Sequence, residues 1–163
     1  MFDSSVPVYI PYMKTLSRLL KKAEDNCVAR KIDPSVMLQS RLFPDMFPLT
    51  RQVQIACDTA KFAGARLSGN TAPSWADDEK SFAELQARIG KTIDYINALD
   101  KTQFEGAASR AITFKAGQRE FNFTGKDYLA KYALPNFFFH VVTAYNILRH
   151  NGVEIGKTDY LSA

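Results

Sequence analysis

Apolar residues recur at steps of three and four along three long segments of the chain, which is the spacing of one face of an α-helix. The first segment runs from about Val6 to Ala29, and the second runs from Pro48 to Gly69. The third extends from Asp77 to Leu99, and its acidic first turn complements the helix dipole. The apolar stripes are Val8, Tyr12, Leu16, Leu19, Ala23 and Cys27; Leu49, Val53, Ala56, Ala60, Ala63 and Leu67; and Phe82, Leu85, Ile89, Ile93, Ile96 and Leu99. Each pattern predicts an amphipathic helix with one buried face.

Prolines mark the start of the first helix and the connection that follows it. Pro7 comes after two serines, which is typical of a capped helix start, whereas Pro11 should kink the helix or delay its beginning. Within residues 30–48, Asp33 and Pro34 predict the cap and the first turn of one short helix. This connector is too apolar for a solvated loop, so we expect it to pack against the helices through Val36, Met37, Leu38, Leu42, Phe43, Met46 and Phe47.

Apolar and polar residues alternate between residues 110 and 124, which is the period of a β-strand. A turn at Lys115–Gln118 divides the alternation in two and predicts a β-hairpin. The helical period then returns, and we expect a short helix from Gly125 to about Tyr132 and a longer one from Pro135 to His150. The tail, residues 153–163, should dock through its apolar side chains, Ile155, Tyr160 and Leu161.

These elements predict an all-α fold, a four-helix bundle with a long connector between its first two helices and a small hairpin before the last helix. The chain has 163 residues, which fits one domain, and 46% of them are hydrophobic, which excludes a disordered protein. The sequence contains no internal repeat and no linker. We therefore expect residues 1–163 to form a single domain.

The charge balance and the cysteines limit the classes of partner. A net charge of +4 without a basic and aromatic motif predicts no nucleic-acid partner. No apolar run approaches the ~20 residues of a membrane span, and the N-terminus has no basic stretch followed by an apolar one. Cys27 and Cys57 belong to no Cys-x-x-Cys pair, which favours buried, unreactive thiols in a reducing compartment. We expect a cytoplasmic protein that has no membrane partner.

The histidines are the first candidates for chemistry, and both lie in the last predicted helix. His140 and His150 are ten residues apart, about 15 Å along a straight helix, so they cannot bind one metal ion together. His150 falls in the last turn, where a cation favours the helix terminus, and it is interpreted as a surface or capping residue. His140 projects from the most apolar part of the chain and must satisfy two ring nitrogens. It is either a core histidine bonded to its neighbours, which is the more common case, or a functional residue.

Polar residues of the second long helix provide neighbours for His140. Gln52 lies one turn before Ala56 at the edge of the apolar stripe, so we expect it to face the interior. Asp58 follows on the same helix, and Tyr145 belongs to the stripe that adjoins His140. Since bundle interiors commonly hold ligands, we predict that His140, Gln52, Asp58 and Tyr145 bind a small molecule between the helices.

Two parts of the sequence are specific enough to suggest a family. The first consists of RLFPDMFPL, residues 41–49, and QVQIACD, residues 52–58. The second consists of ALPNFFFH, residues 133–140, and ILRHNGV, residues 147–153. The chain resembles, over nearly its whole length, a family of uncharacterised bacterial proteins within the DinB/YfiT-like superfamily of metalloenzymes. The resemblance implies a DinB-like bundle with up-down-down-up topology, often a homodimer, and no particular activity.

The resemblance also bears on a metal site. Metal-binding members of the superfamily use one histidine from the second helix and a His-x-x-x-His pair on the last helix. His140 matches the first histidine of that pair, but the second falls at Ala144 and the second-helix histidine falls near Gln52. One of three ligands is left, so we expect no metal and no cofactor.

Three functions remain open at this point. The first is a DinB-like bundle with a degenerate metal site that binds a small molecule. The second is a metal-dependent enzyme, a hydrolase or a thiol transferase, in which Asp58 and water supplement His140. The third is a dimeric interaction protein without catalysis, favoured by the family and by the alanine-rich stripe of the second helix.

Overall fold

The computed structural model describes residues 1–162, and these are mostly helical with one small antiparallel sheet. The helices are α1 (Val6–Arg30), α2 (Pro34–Gln39), α3 (Leu49–Ser68), α4 (Phe82–Asn97), α5 (Gly125–Tyr128), α6 (Leu134–His150) and α7 (Lys157–Leu161). Single 3-10 turns lie at Phe2–Ser4 and Lys101–Phe104, and the strands are β1 (Ala111–Ala116) and β2 (Arg119–Thr124). The long helix α1 packs against α4 and α6, and α3 packs against the same two helices, so the core lies between these four.

Helix α1 has nearly the bounds that its periodicity predicts. Pro7 occupies its first turn, and the helix continues through Pro11 without ending there. The Ser5 hydroxyl donates to the carbonyls of Met1 and Phe2, so it ties down the preceding 3-10 turn and does not cap α1. The helix ends at Arg30, and its C-cap residue Lys31 takes up a left-handed conformation with φ of 56°.

The first connector, residues 31–48, is packed less completely than its sequence predicts. Its short helix α2 forms as expected, and the Asp33 carboxylate accepts a hydrogen bond from the Ser35 amide. Met37 and Leu38 are buried, whereas the rest of the apolar set is mostly at the surface. The exposed fractions are 60% for Val36, 37% for Leu42, 64% for Phe43 and 55% for Phe47. A main-chain hydrogen bond from Leu49 to Ser40 closes the loop after α2, so the loop satisfies its own backbone and projects outward.

Helix α3 ends at Gly69 in a left-handed C-cap, as predicted, but α4 begins later than predicted. Its first residue is Phe82 because Ser81 and Glu84 form a reciprocal capping box. The acidic residues that were expected in its first turn lie in the second connector, residues 70–81. Arg88 of α4 binds Asp77 and Glu79 from that connector, so these carboxylates neutralise a side chain and do not serve the helix dipole.

The predicted hairpin forms, with Ala111 opposite Thr124 and Ala116 opposite Arg119. Its two-residue loop contains Gly117, whose φ of 59° requires the left-handed region. The inner face of the hairpin carries three stacked phenylalanines that pack on two tyrosines of the following helical segment. These residues are Phe114, Phe121, Phe123, Tyr128 and Tyr132.

The two helices predicted at the end of the chain are one continuous helical stretch. A π-helical turn at Leu129–Ala133 joins α5 to α6, so the predicted break before Pro135 is wrong. Proline lacks the N–H that would bond to the carbonyl four residues earlier. The wider π turn immediately before Pro135 accommodates the proline without this hydrogen bond, so the helix continues.

The tail docks on α1 and α6, although not through every residue predicted for it. Ile155 is 4% exposed, and the Tyr160 ring lies 5.4 Å from that of Tyr12, between ring centroids. Leu161 is 55% exposed, so its predicted burial is wrong. Leu161 is the last residue of the short helix α7, and its side chain faces the solvent. Among the helices of residues 1–162, none combines the length and apolarity needed to cross a bilayer.

Candidate functional site

The side chains of Gln52 and His140 meet across the interface between α3 and α6. The His140 Nδ1 atom lies 2.7 Å from Gln52 Oε1, and both side chains are buried. The Gln52 Nε2 atom donates to the Phe47 carbonyl at 2.9 Å, which fixes the orientation of the amide. Because Oε1 is then an acceptor, the His140 proton resides on Nδ1 and the Nε2 atom carries a lone pair.

The ring of His140 is neutral at physiological pH. Burial, assisted by the nearby positive charge of Arg51, lowers the pKa of His140 to about 4. A neutral imidazole can accept a hydrogen bond through Nε2, which an imidazolium cannot. The pair therefore joins two helices and keeps one free acceptor.

Asp58, the carboxylate predicted for the site, forms ion pairs with two basic side chains. Its Oδ1 atom lies 2.8 Å from the Lys61 ammonium and 3.0 Å from Arg88 Nη2. Lys61 and Arg88 are both almost fully buried, so the Asp58 carboxylate is needed to balance their charges. The structure thus brings Asp58 to α4 and the second connector, and gives it no contact with His140.

Tyr145 is also separate from His140. It is half-buried and lies near α7, where its ring centroid is 6.1 Å from that of Tyr160. Tyr145 lies five residues after His140, which places it on a different side of α6, toward the docked tail. Of the four predicted residues, the structure brings together Gln52 and His140.

A cavity of about 520 Å³ opens beside the pair, between α3, the hairpin and the segment that leads into α6. We call it the hairpin cavity. Its walls contain five aromatic rings, two arginines and Lys115; the residues that characterise it are Phe47, Arg51, Phe62, Arg66, Phe114 and Tyr132. Cavities of this size with apolar walls and a few polar groups are typical of small-molecule sites. The sequence does not reveal this cavity, because its residues come from three separate segments that only the tertiary fold brings together.

The hairpin cavity and the buried pair share the α3–α6 interface. Asn136, in the cavity wall, lies one turn before His140 on α6, and its Nδ2 atom donates to Thr59 Oγ1 at 2.8 Å. This second cross-helix hydrogen bond has the same role as the one between Gln52 and His140. The two bonds hold α6 in place against α3 along one side of the cavity.

Arg66 is surrounded by aromatic rings at the cavity wall. Its Cζ atom lies 4.0 Å from the ring centroid of Phe114, 4.9 Å from that of Phe62 and 5.5 Å from that of Tyr128. Its Nη1 atom donates to the Tyr128 hydroxyl at 3.0 Å. Burial raises the pKa of Tyr128, which keeps this hydroxyl neutral. Within residues 1–162, no carboxylate forms an ion pair with Arg66.

Comparison with known proteins identifies the family. The family model described as a domain of unknown function, DUF1993, matches residues 1–161. The chain belongs to this family. A crystal structure of a DinB family member protein from Shewanella denitrificans is 44% identical to it, with a TM-score of 0.93, over 99% of this chain and 92% of that one. These two findings confirm the resemblance to an uncharacterised DinB-like family, and no curated protein matches the chain.

The residues of this DUF1993 chain do not fit the metal that the DinB-like superfamily implies. Ala144 has no ligating atom, and the Oε1 atom of Gln52 is already bonded to His140. Asp58, the predicted substitute ligand, is bound by two buried cations. Residues 1–162 contain no group of three or more histidine, cysteine, aspartate or glutamate side chains with a metal-binding arrangement. The metal-dependent alternative therefore gains no support from the side chains of this site.

Proposed function

We propose that this DUF1993 chain binds a small molecule in the hairpin cavity and that it does so without a metal. The observation that carries the proposal is the cavity itself, which has about 520 Å³ of space and five aromatic rings in its walls. Burying aromatic surface is the main source of affinity in such sites, and a few polar groups orient the ligand.

Each predicted site residue takes a definite place in this proposal. His140 and Gln52 hold α6 against α3 at the margin of the cavity, and Asp58 lies in its wall with its charge balanced. Asn136 supplies an amide oxygen at the wall, since its Nδ2 atom is used by Thr59. Tyr145 is not part of the cavity lining, so we assign it no role in binding.

A cavity-blocking variant tests this function. Ala116 lines the cavity at the end of β1, whereas Ala111, at the other end of the same strand, does not; both are exposed. A thermal-shift screen of small aromatic compounds should find ligands that stabilise the wild type and Ala111→Trp but fail to stabilise Ala116→Trp. Ligands that stabilise all three proteins equally would place binding elsewhere, and a screen without any ligand would contradict the proposal.

We also propose that the four long helices form the up-down-down-up bundle that the resemblance implies. The bond between Gln52 and His140 and that between Thr59 and Asn136 support antiparallel packing of α3 and α6. Contacts of Cys57 with Thr92 and of Gly64 with Leu99 support a parallel arrangement of α3 and α4. The pairs Ser17–Gln86 and Asp3–Lys101 support an antiparallel arrangement of α1 and α4. The pairs Tyr9–Phe137 and Arg30–Asn151 support a parallel arrangement of α1 and α6.

A homodimer in the cytoplasm remains a prediction. The alanine-rich stripe that favoured self-association is buried inside the chain, since Ala56, Ala60 and Ala63 are all 0% exposed. The stripe therefore serves packing within one chain, and the expectation of a dimer rests on the family resemblance. Light scattering of the purified protein measures the oligomeric state directly. The cytoplasmic location is supported by two buried free cysteines, Cys27 and Cys57.

A further inference from the structure

Four charged residues line the hairpin cavity: Arg51 and Asp58 belong to a neutral ion network, Lys115 is exposed to solvent, and Arg66 is half-buried. Three cations and three carboxylates form one connected network between α3, α4 and the second connector, with no excess charge. Its members are Arg51, Lys61 and Arg88, and Asp58, Asp77 and Glu79. Asp58 and Arg51 belong both to this network and to the cavity wall, and each has its partner within the network. Neither contributes an unbalanced charge to the cavity.

Arg66 differs from the network because its charge has no anionic partner among residues 1–162. A guanidinium has five N–H donors, and the structure gives Arg66 one side-chain hydrogen bond, to Tyr128. Its half-buried position removes part of its hydration, while the faces of Phe62 and Phe114 hold its plane in place. The cavity therefore contains a fixed positive charge with donors available at an aromatic wall.

We propose that the ligand of the hairpin cavity is an aromatic oxyanion, a carboxylate or a phosphate ester whose anionic group binds Arg66 while its ring packs against Phe62, Phe114 and Tyr132. This inference rests on the proposed function. Arginine matches carboxylate and phosphate geometry because two of its N–H groups donate in parallel. The aromatic rings of the wall supply the apolar contact, and Arg66 favours a ligand that carries a negative charge.

A matched series of two-ring compounds tests the charge preference by isothermal titration. Naphthoate and naphthyl phosphate carry the anion, naphthamide is neutral, and naphthylmethylammonium is cationic. We expect at least one anion to bind about tenfold tighter than the amide, because a charge-assisted bond is roughly twice as strong as a neutral one. Added salt should weaken binding of the anion and leave binding of the amide unchanged, since screening acts on charge pairs.

Variants of Arg66 assign the preference to that side chain. Arg66→Gln should abolish the preference for the anion while naphthamide still binds, and Arg66→Lys should retain part of the preference. Arg119→Gln is the matched control, because Arg119 also stacks on a hairpin ring, 4.9 Å from the Phe121 centroid, but does not line the cavity. A urea titration of each variant shows that it is folded before binding is compared.

The possible results separate this inference from the proposed function. Equal affinity for the anions and the amide, or tighter binding of the ammonium compound, would overturn the charge preference and leave a small-molecule site. An anion preference that persists in Arg66→Gln would overturn the role of Arg66. Failure of every compound to bind would overturn the proposed function, and this inference with it.

Discussion

At the scale of the single residue, His140 is held mainly by its bond to Gln52. Replacing His140 by Leu leaves the Gln52 Oε1 atom buried without a donor, and the surrounding core is already filled by Phe137, Val141 and Ala144. We predict that His140→Leu lowers the free energy of unfolding by about 1–3 kcal/mol. Urea titrations of the two proteins, compared at matched slopes, measure the difference.

The double variant Gln52→Leu/His140→Leu is the control for that prediction. It should recover part of the loss, because no side-chain acceptor is then left without its donor. A midpoint for His140→Leu equal to or above that of the wild type would show that the histidine is retained for binding at the expense of stability.

The lowered pKa of His140 predicts a pH dependence of stability. The pKa is about 4 in the folded protein and near 6.5 in the unfolded chain, so the unfolded chain binds more protons between these values. The stabilisation is complete above pH 6.5 and is lost as the pH falls toward 4. Between pH 7 and pH 4.5 the wild type should lose about 2 kcal/mol more than His140→Leu. Equal losses in the two proteins would contradict a buried neutral histidine.

At the scale of the secondary-structure element, the join between β2 and α5 depends on a glycine. A Cβ atom on Gly125 would overlap the carbonyl oxygen of Ala107, whereas a Cβ atom on Gly90 in α4 would have no neighbour within 4 Å. We predict that Gly125→Ala costs about 2–4 kcal/mol, because the backbone must move apart. Gly90→Ala should instead stabilise the protein by about 0.5–1 kcal/mol through the higher helix propensity of alanine.

Thermal or urea unfolding of both glycine variants measures whether the free energy of unfolding falls in Gly125→Ala and rises in Gly90→Ala. The Gly90 variant controls for the general effect of adding a methyl group and reducing backbone freedom. Comparable stability of the two variants would mean that the join between the hairpin and α5 tolerates a shift.

Sequence periodicity predicted the long helices and the hairpin because their apolar faces are local patterns. It failed at the start of α4, because Asp77 and Glu79 bind Arg88, which lies further along that helix. It also failed at Pro135, because a π turn before the proline allows the helix to continue. In the candidate site, the buried pair of Gln52 and His140 followed from helical spacing. The hairpin cavity did not, since no pattern in the sequence indicates which side of the sheet will lie against α3.

At the scale of the whole molecule, Arg88 joins three parts of the chain into one charged network. It extends from α4 to Asp58 of α3 and to Asp77 and Glu79 of the second connector, and its Nη1 atom also donates to the Ala76 carbonyl. Although burial opposes it, Glu79 and Asp58 raise the pKa of Arg88, and the arginine stays charged. The second connector has no helix or strand of its own, so its position depends strongly on this side chain.

Arg88→Leu tests whether the network holds the second connector in place. The variant leaves the carboxylates without their shared cation, and we predict a loss of about 3–5 kcal/mol in the free energy of unfolding. Trp75, the one tryptophan of the sequence, lies in this connector with its ring 4.4 Å from the Lys61 ammonium. Release of the connector should expose the Trp75 ring to water and shift its fluorescence to longer wavelength under native conditions.

Lys91→Leu is the matched control for Arg88→Leu. Lys91 lies one turn further along α4, with its ammonium 4.7 Å from the Trp75 ring centroid, but it is exposed and forms no ion pair within residues 1–162. Its replacement should change stability by less than about 0.5 kcal/mol and leave the connector in place. An unchanged Trp75 emission in Arg88→Leu, or the same red shift in both variants, would show that the connector is held by its own packing. In that case the ion network would balance buried charge without positioning the chain around it.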